Sequence, residues 1–382
     1  MKTLKKLGRL ASIKLLIAIF ISTLAIPAQA QPNTKKQKIM IALLLDTSNS
    51  MDGLIDQAKS QLWTIVNELA SAKQQDGKRP DIQIALYEYG NDRLQAKEGY
   101  IRMVTNLTTD LDLISEKLFA LTTNGGQEYC GHVIQTSINQ LDWSKSEADL
   151  KMIFIAGNEP FTQGNVPFSE ACNLAKNKDI VVNTIFCGSY NDGISGSWKK
   201  GATLTGGSYM SIEQDRKTVY IETPYDKEID KLNDALNKTY IYYGTQGLAR
   251  KEMQTRQDVN AEHYGLANKV KRAVSKSSHA YYNAQWDLVD AYKDDAKVIE
   301  KVKDENLPKE MKGMSAEEKQ AYIKKKQAER TEIQKQIQAL NKKRLAYISS
   351  KQTKDDKENM LDQAMLTAIK AVAKTKKLVF EK

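Results

Sequence analysis

Asp46, Ser48 and Ser50 stand in the spacing D-x-S-x-S, within Asp46-Thr47-Ser48-Asn49-Ser50-Met51. A carboxylate and two hydroxyls are hard oxygen donors of the kind Mg2+ takes in octahedral geometry, and Mn2+ or Ca2+ accepts similar atoms. So short an all-oxygen set leaves coordination positions open. The same residue types also make good helix N-caps, so the motif alone does not decide between a metal loop and a cap. Its position in the chain favours the first. Ile39–Leu45, just before it, is a continuous apolar run, as expected of a strand buried on both faces. Ile55, Ala58, Leu62, Ile65, Val66 and Leu69 follow at helical spacing. A strand–turn–helix order puts the motif at the carboxyl edge of a sheet, where open α/β folds place their ligands.

Other chemistry is weakly supported. His132, His263 and His279 are scattered and make no metal-spaced pair. The C-x-H of Cys130 and His132 is too weak a signal for a catalytic thiol. No G-x-S-x-G, Walker loop, H-E-x-x-H or dinucleotide fingerprint occurs. The expectation is therefore a binding protein rather than an enzyme.

The surrounding elements alternate. Ile82–Tyr89, Tyr100–Thr105, Met152–Ala156, Ile180–Phe186 and Ser208–Ile212 read as further strands. Helices are expected around Leu111–Leu121, Val133–Leu141, Phe168–Lys176 and Trp198–Leu204. Strands separated by helices imply an α/β fold, a mostly parallel sheet with helices on both faces, over residues 38–212. After a linker at 213–225 the pattern turns helical, with only four glycines and one proline in 226–382. Helical stretches are expected over 248–275 and 280–303. Ser315-Ala316-Glu317-Glu318 reads as a capping box opening a long helix. The whole of 226–382 reads as an all-α region of antiparallel helices or a coiled-coil hairpin, which could also support self-association.

A strand ending in D-x-S-x-S resembles the metal-ion-dependent adhesion site (MIDAS) of von Willebrand factor type A (vWA) domains, whose fold is Rossmann-like. Trp198-Lys199-Lys200-Gly201-Ala202 and Thr205-Gly206-Gly207-Ser208-Tyr209 are similar to that family's last helix, turn and strand. The resemblance covers 38–212, under half the chain. It implies a divalent cation, Mg2+ or else Mn2+ or Ca2+, whose shell is completed by an acidic side chain of a protein partner. Two other metal loops depart from the pattern. Where the family usually has a Thr after a Gly pair, Gly125-Gly126 is followed by Gln127-Glu128. Where it usually has an Asp closing the fourth strand, Gly157 precedes Asn158-Glu159. The site expected is therefore a modified one, Asp46, Ser48 and Ser50 completed by Glu128 or Glu159. The alternative is a degenerate site whose loops bind by shape.

Cys130, Cys172 and Cys187 all lie in the α/β part. Cys172, about 5 residues from its helix end, sits roughly 7 Å from that edge. Cys187, about 7 residues into a strand, sits roughly 23 Å from it, too far to bridge. Cys130 and Cys187 both fall near the ligand edge, which favours that pair for a disulfide.

The N-terminus carries Lys2, Lys5, Lys6, Arg9 and Lys14, then the apolar stretch Leu15–Ile26, then Ala28-Gln29-Ala30. This is the pattern of a secretory signal peptide, residues 1–30, cleaved after Ala30. A short disordered lead is expected over 31–37. The expected location is outside the cytoplasm, periplasmic or secreted. Removing the signal takes five positive charges from a formal net charge of +10. The rest divides into −3 over 31–212 and +8 over 213–382. A nucleic-acid partner is thereby disfavoured, since acidic residues interleave with the basic clusters Lys324-Lys325-Lys326 and Lys342-Lys343-Arg344. The leading function is metal-assisted protein–protein recognition or adhesion at the cell envelope. The second is an envelope structural or assembly protein whose basic helices bind acidic surface polymer.

Overall fold

Every residue of Leu150–Gly157, and all of Lys38–Asp46 after its first, is buried, because each run is covered on both faces and flanked on both edges. The computed structural model describes residues 36–218, 220–351 and 360–381. The expected signal peptide (1–30), and the expected lead as far as residue 35, lie outside the described residues. Gln37, the last residue of that lead, is buried, and its amide donates to the carbonyl of Lys376 at 3.2 Å. Its end is thus held rather than loose.

The first part runs β1 (Lys38–Asp46), α1 (Asp52–Ala70), β2 (Ala72–Gln74), β3 (Asp81–Tyr89), β4 (Ile101–Thr108), α2 (Leu111–Phe119) and α3 (Cys130–Gln140). It continues with β5 (Leu150–Gly157), α4 (Phe168–Asn177), β6 (Val181–Cys187), α5 (Tyr190–Ser195), α6 (Trp198–Leu204) and β7 (Tyr209–Ile212). Six strands form one sheet in the order β4-β3-β1-β5-β6-β7. All neighbours pair parallel except β4, which lies antiparallel to β3 at the edge. The expected α/β architecture is therefore present, with all six strands where the apolar runs lie.

The second part holds α7 (Asp226–Asn237), α8 (Gly247–His263), α9 (Leu266–Lys276), α10 (Leu288–Asp294), α11 (Val298–Lys301), α12 (Ala316–Lys351), α13 (Leu361–Thr375) and β8 (Leu378–Phe380). Two expected helices are broken. Residues 248–275 bend at Gly265, whose φ of 94° interrupts the helix between α8 and α9. Over 280–303 only α10 and α11 are helical. There Asp287 caps α10 by accepting from Asp290 N, and Tyr242 bridges to Asp287.

The helical part is not a separate coiled-coil hairpin. From Lys36 onward the chain forms one compact unit. Helix α13 packs on α1 and on β5, β6 and β7, and β8 pairs antiparallel with β2. Leu361, Met365 and Ile369 thus join Ile41, Leu43, Phe154 and Ile185 in the core of one sheet face. The other face is covered by α3, α4 and α6, with Val133, Ile134, Ala171 and Trp198 against Leu44 and Ile155. The long helix α12 lies against α7, α9, α10 and α11. Its buried residues are Ile323, Arg330, Ile337 and Arg344, one every seven residues. Both arginines end on acids: Arg330 Nη1 on Asp287 at 2.6 Å, Arg344 Nε on Asp226 at 2.8 Å. A seven-residue seam of alternating Ile and Arg gives α12 its register without a second long helix.

Candidate functional site

The loop after β1 is fixed by its neighbours on both sides. Thr47 N donates to Tyr89 O at 2.9 Å, and Asn124 N donates to Thr47 O at 3.0 Å. Asp46 is fully buried, and its Oδ1 accepts from Ser48 N at 2.7 Å, which curls the loop around the carboxylate. The hydroxyls of Ser48 and Ser50 then stand 3.2 Å apart. Neither is spent on capping. The 3-10 turn Asn49–Met51 and α1 both begin without a side-chain cap. The capping alternative for D-x-S-x-S is therefore not what these side chains do.

Glu128 reaches the same place from the N-terminal side of α3. It is 3% exposed, and its backbone N–H donates to Gln163 Oε1 at 2.6 Å. Its carboxyl lies beside the Asp46 carboxyl and Ser48. Gly90 makes the approach feasible: its φ is +78°, and a Cβ there would sit 2.7 Å from Asp46 Oδ1 and 2.8 Å from Glu128 Cγ. Burial first, then the neighbouring Glu128, raises the Asp46 pKa well above the usual carboxylate range. Burial likewise raises that of Glu128. One oxygen of each, Asp46 Oδ2 and Glu128 Oε2, is buried with no hydrogen-bond partner.

Glu159 is placed differently. Its side chain is exposed, and its main chain is what faces inward: its N–H lies towards the Glu128 carboxyl, and its carbonyl accepts from Trp198 Nε1 at 2.8 Å. Of the two carboxylates expected to complete the set, the structure brings in Glu128 and leaves Glu159 at the rim. Asn158 Nδ2 also reaches Ser50 Oγ at 3.1 Å from that rim.

Gly157 has a partner residue that the sequence reading missed. A Cβ at 157 would lie 2.5 Å from the Tyr89 hydroxyl and 3.0 Å from Asp46 Oδ2. Tyr89 is buried and its hydroxyl donates to Ala156 O at 3.0 Å. The phenol thus fills the space an Asp at 157 would need. The last residue of a strand followed by glycine, Tyr89-Gly90, was the signal available in the sequence.

A strap after β7 closes the other side. Gln214 Nε2 donates to Ser50 O at 2.7 Å, and Gln57 Nε2 donates to the carbonyls of Glu213, Gln214 and Arg216 at 2.7, 2.9 and 3.2 Å. The loop site is therefore walled by residues 46–51, 90–92, 125–128, 157–159 and 213–216.

The expected Cys130–Cys187 disulfide is absent: all three cysteines are free and buried. Cys130 packs in the core on the α3/α4 face, whereas Cys187 packs in the core on the α1/α13 face. The sheet itself separates the two sulfurs.

Among the described residues no group of three or more His, Cys, Asp or Glu side chains is arranged to hold a metal. What the loops offer is two carboxylates and two hydroxyls. Two unpartnered buried carboxylate oxygens with hydroxyls beside them fit a small hard cation, because a cation offsets both the burial and the mutual repulsion.

No family model matches the sequence, and no curated protein matches it. Solved structures do. BatB from Bacteroides thetaiotaomicron is 15% identical, over 46% of this chain and 90% of that one, with a TM-score of 0.35. A von Willebrand factor type A protein from Catenulispora acidiphila is 16% identical over 46% and 39%, with a TM-score of 0.34. Proximal thread matrix protein 1 of the mussel byssus, with a zinc-occupied MIDAS motif, is 14% identical over 47% and 43%, with a TM-score of 0.34. By its own strand order, its antiparallel edge strand and a D-x-S-x-S loop at the end of β1, the sheet domain of this chain has the von Willebrand factor type A fold.

Proposed function

We propose that this is a non-enzymatic binding protein that recognises a protein partner through a divalent cation at the end of β1. Asp46, Ser48, Ser50 and Glu128 would hold the ion, and Mg2+ suits that donor set best. The observation that carries this reading is the pair of buried, unpartnered oxygens, Asp46 Oδ2 and Glu128 Oε2. The ion would supply a Lewis-acidic contact for an acidic side chain of the partner. Ser50, Asn158 and Glu159 lie at the open side, where that partner would arrive. An export signal of the kind expected at residues 1–30 would put such recognition at the cell envelope or outside the cell.

Calorimetric titration with Mg2+, Mn2+ and Ca2+ tests this. Binding heat in the wild type that is lost in Asp46→Ala supports it; no heat with any of the three ions in the folded wild type sinks it. Capture of an envelope partner should likewise disappear in EDTA.

One observation favours a second reading. Lys324, Lys325, Lys342 and Lys343 are exposed on α12, and each lies outside the ion pairs among the described residues. Binding to an acidic surface polymer through α12 would survive EDTA and weaken steeply with salt.

A further inference from the structure

The sheet face opposite α13 carries a groove of about 520 Å3 that the metal reading does not use. It is lined by Lys176 at the end of α4, Ile194 of α5, and Lys199, Lys200, Thr203 and Leu204 of α6. The three lysines are exposed, and none is in an ion pair among the described residues. Their neighbours show the contrast: Lys151 and Lys376 both pair with Asp179, at 3.6 and 2.8 Å. Lys200 Nζ stands 6.0 Å over the Phe168 ring, which orients it without neutralising it. Thr203 spends its hydroxyl on the carbonyl of Lys199 at 2.8 Å. Between the ammonium groups lies an apolar floor, Ile194 at 40% exposure and the half-buried Leu204.

We infer that this groove is a docking site for an acidic peptide segment of a partner protein, with carboxylates on both sides of an apolar side chain. Charge complementarity argues for it: unpaired positive charge comes from two walls, Lys176 on one and Lys199 and Lys200 on the other. An apolar side chain between two acidic ones would cover Ile194 and Leu204 while its neighbours meet the lysines. A lipid carries its charge at one end only, which suits a groove charged on both walls less well. Among the described residues the helical region packs on the other sheet face, which leaves this surface uncovered by them.

The test uses the full chain and three labelled peptides, Glu-Glu-Leu-Phe-Glu-Glu, the same with Ala for Leu-Phe, and the same with Lys for Glu, read by fluorescence anisotropy. The acidic–apolar peptide should bind tightest and weaken with added salt. Lys199→Glu with Lys200→Glu, and separately Lys176→Glu, should each weaken it ~10-fold or more, since like charges then face each other. Ile194→Asp should weaken it as well. All sites are exposed, and unchanged melting temperatures confirm folding. EDTA and Asp46→Ala should leave the affinity unchanged, which separates this site from the metal loop. Equal binding of the three peptides, insensitivity to the lysine variants, or loss of binding in EDTA would each overturn the proposal. So would phosphatidylglycerol vesicles being the ligand whose binding the lysine variants abolish, with peptide binding unaffected.

Discussion

The carboxyl groups of Asp46 and Glu128 are buried against each other, and no positively charged side chain is among the main influences on either. Two such groups are costly to ionise together unless a cation or a shared proton intervenes. Glu128→Gln removes one of the two charges and keeps the shape. In EDTA the variant should melt at or above the wild-type temperature. At metal concentrations near 100-fold over the dissociation constant, the wild type should gain about 2.7 kcal/mol, and the variant far less. Thermal melts with and without Mg2+ check both halves.

Gly157 and Tyr89 compete for one volume, with 2.5 Å between the hydroxyl and the position of an added Cβ. Gly157→Ala should therefore destabilise by ~1–3 kcal/mol through overpacking. Gly157→Asp should cost more and should not strengthen metal binding. Denaturant unfolding and the same calorimetric titration provide the readouts.

Arg330 donates to Asp287 and to the carbonyl of Thr239, and stands 4.0 Å from the Tyr240 ring centroid. Removing one partner of a buried pair strands the other's charge. Arg330→Ala should cost ~3–5 kcal/mol. Chemical denaturation should show this loss, while exposed Lys343→Ala on the same helix stays within ~0.5 kcal/mol of wild type.

Lys251 donates to the Asn237 carbonyl and to Gln254 Oε1. Burial, then the charge of Lys276, lowers its pKa to about 7, against smaller opposing pulls from Asp287 and Asp258 and a further push from Arg330. Its folded pKa is below its unfolded one, so the folded state holds this proton less tightly. Its contribution to stability should then rise as pH rises from about 7 towards 10. Lys251→Met should stabilise the chain at pH 6 more than at pH 9. Melting temperatures of both proteins across that range check the sign.

Cys130, Cys172 and Cys187 are buried free thiols, and burial raises the pKa of each. A maleimide should label none of them in the native chain within minutes. All three should react in denaturant without reductant, as mass spectrometry will count. A mass two units short of three free thiols would show a disulfide after all.

Much of the fold was legible because continuous apolar runs can only be satisfied inside a two-sided sheet. Ile39–Leu45 and Met152–Ala156 are such runs, and both became central strands. The helical part was less legible. Gly265 broke a stretch that reads as one helix. Residues 280–287 carry apolar and aromatic side chains at helical spacing, yet they are held in a loop by Asp287 and Asp290.

For the site, the order strand–Asp46-x-Ser48-x-Ser50–helix was enough to place the loop at the carboxyl edge, since local sequence sets where a strand ends. The choice of Glu128 over Glu159 was decided only in three dimensions, by a glycine at 90 that admits one side chain and a main chain at 159 that points the other outward. The same holds for Tyr89 beside Gly157, for Cys130 and Cys187 on opposite sheet faces, and for α13, which leaves the helical region to complete the sheet's core. Composition and spacing fix which residues can be buried or can bind a cation. Which of them meet depends on long-range packing, where a neighbour's volume on the far side of a strand decides the outcome.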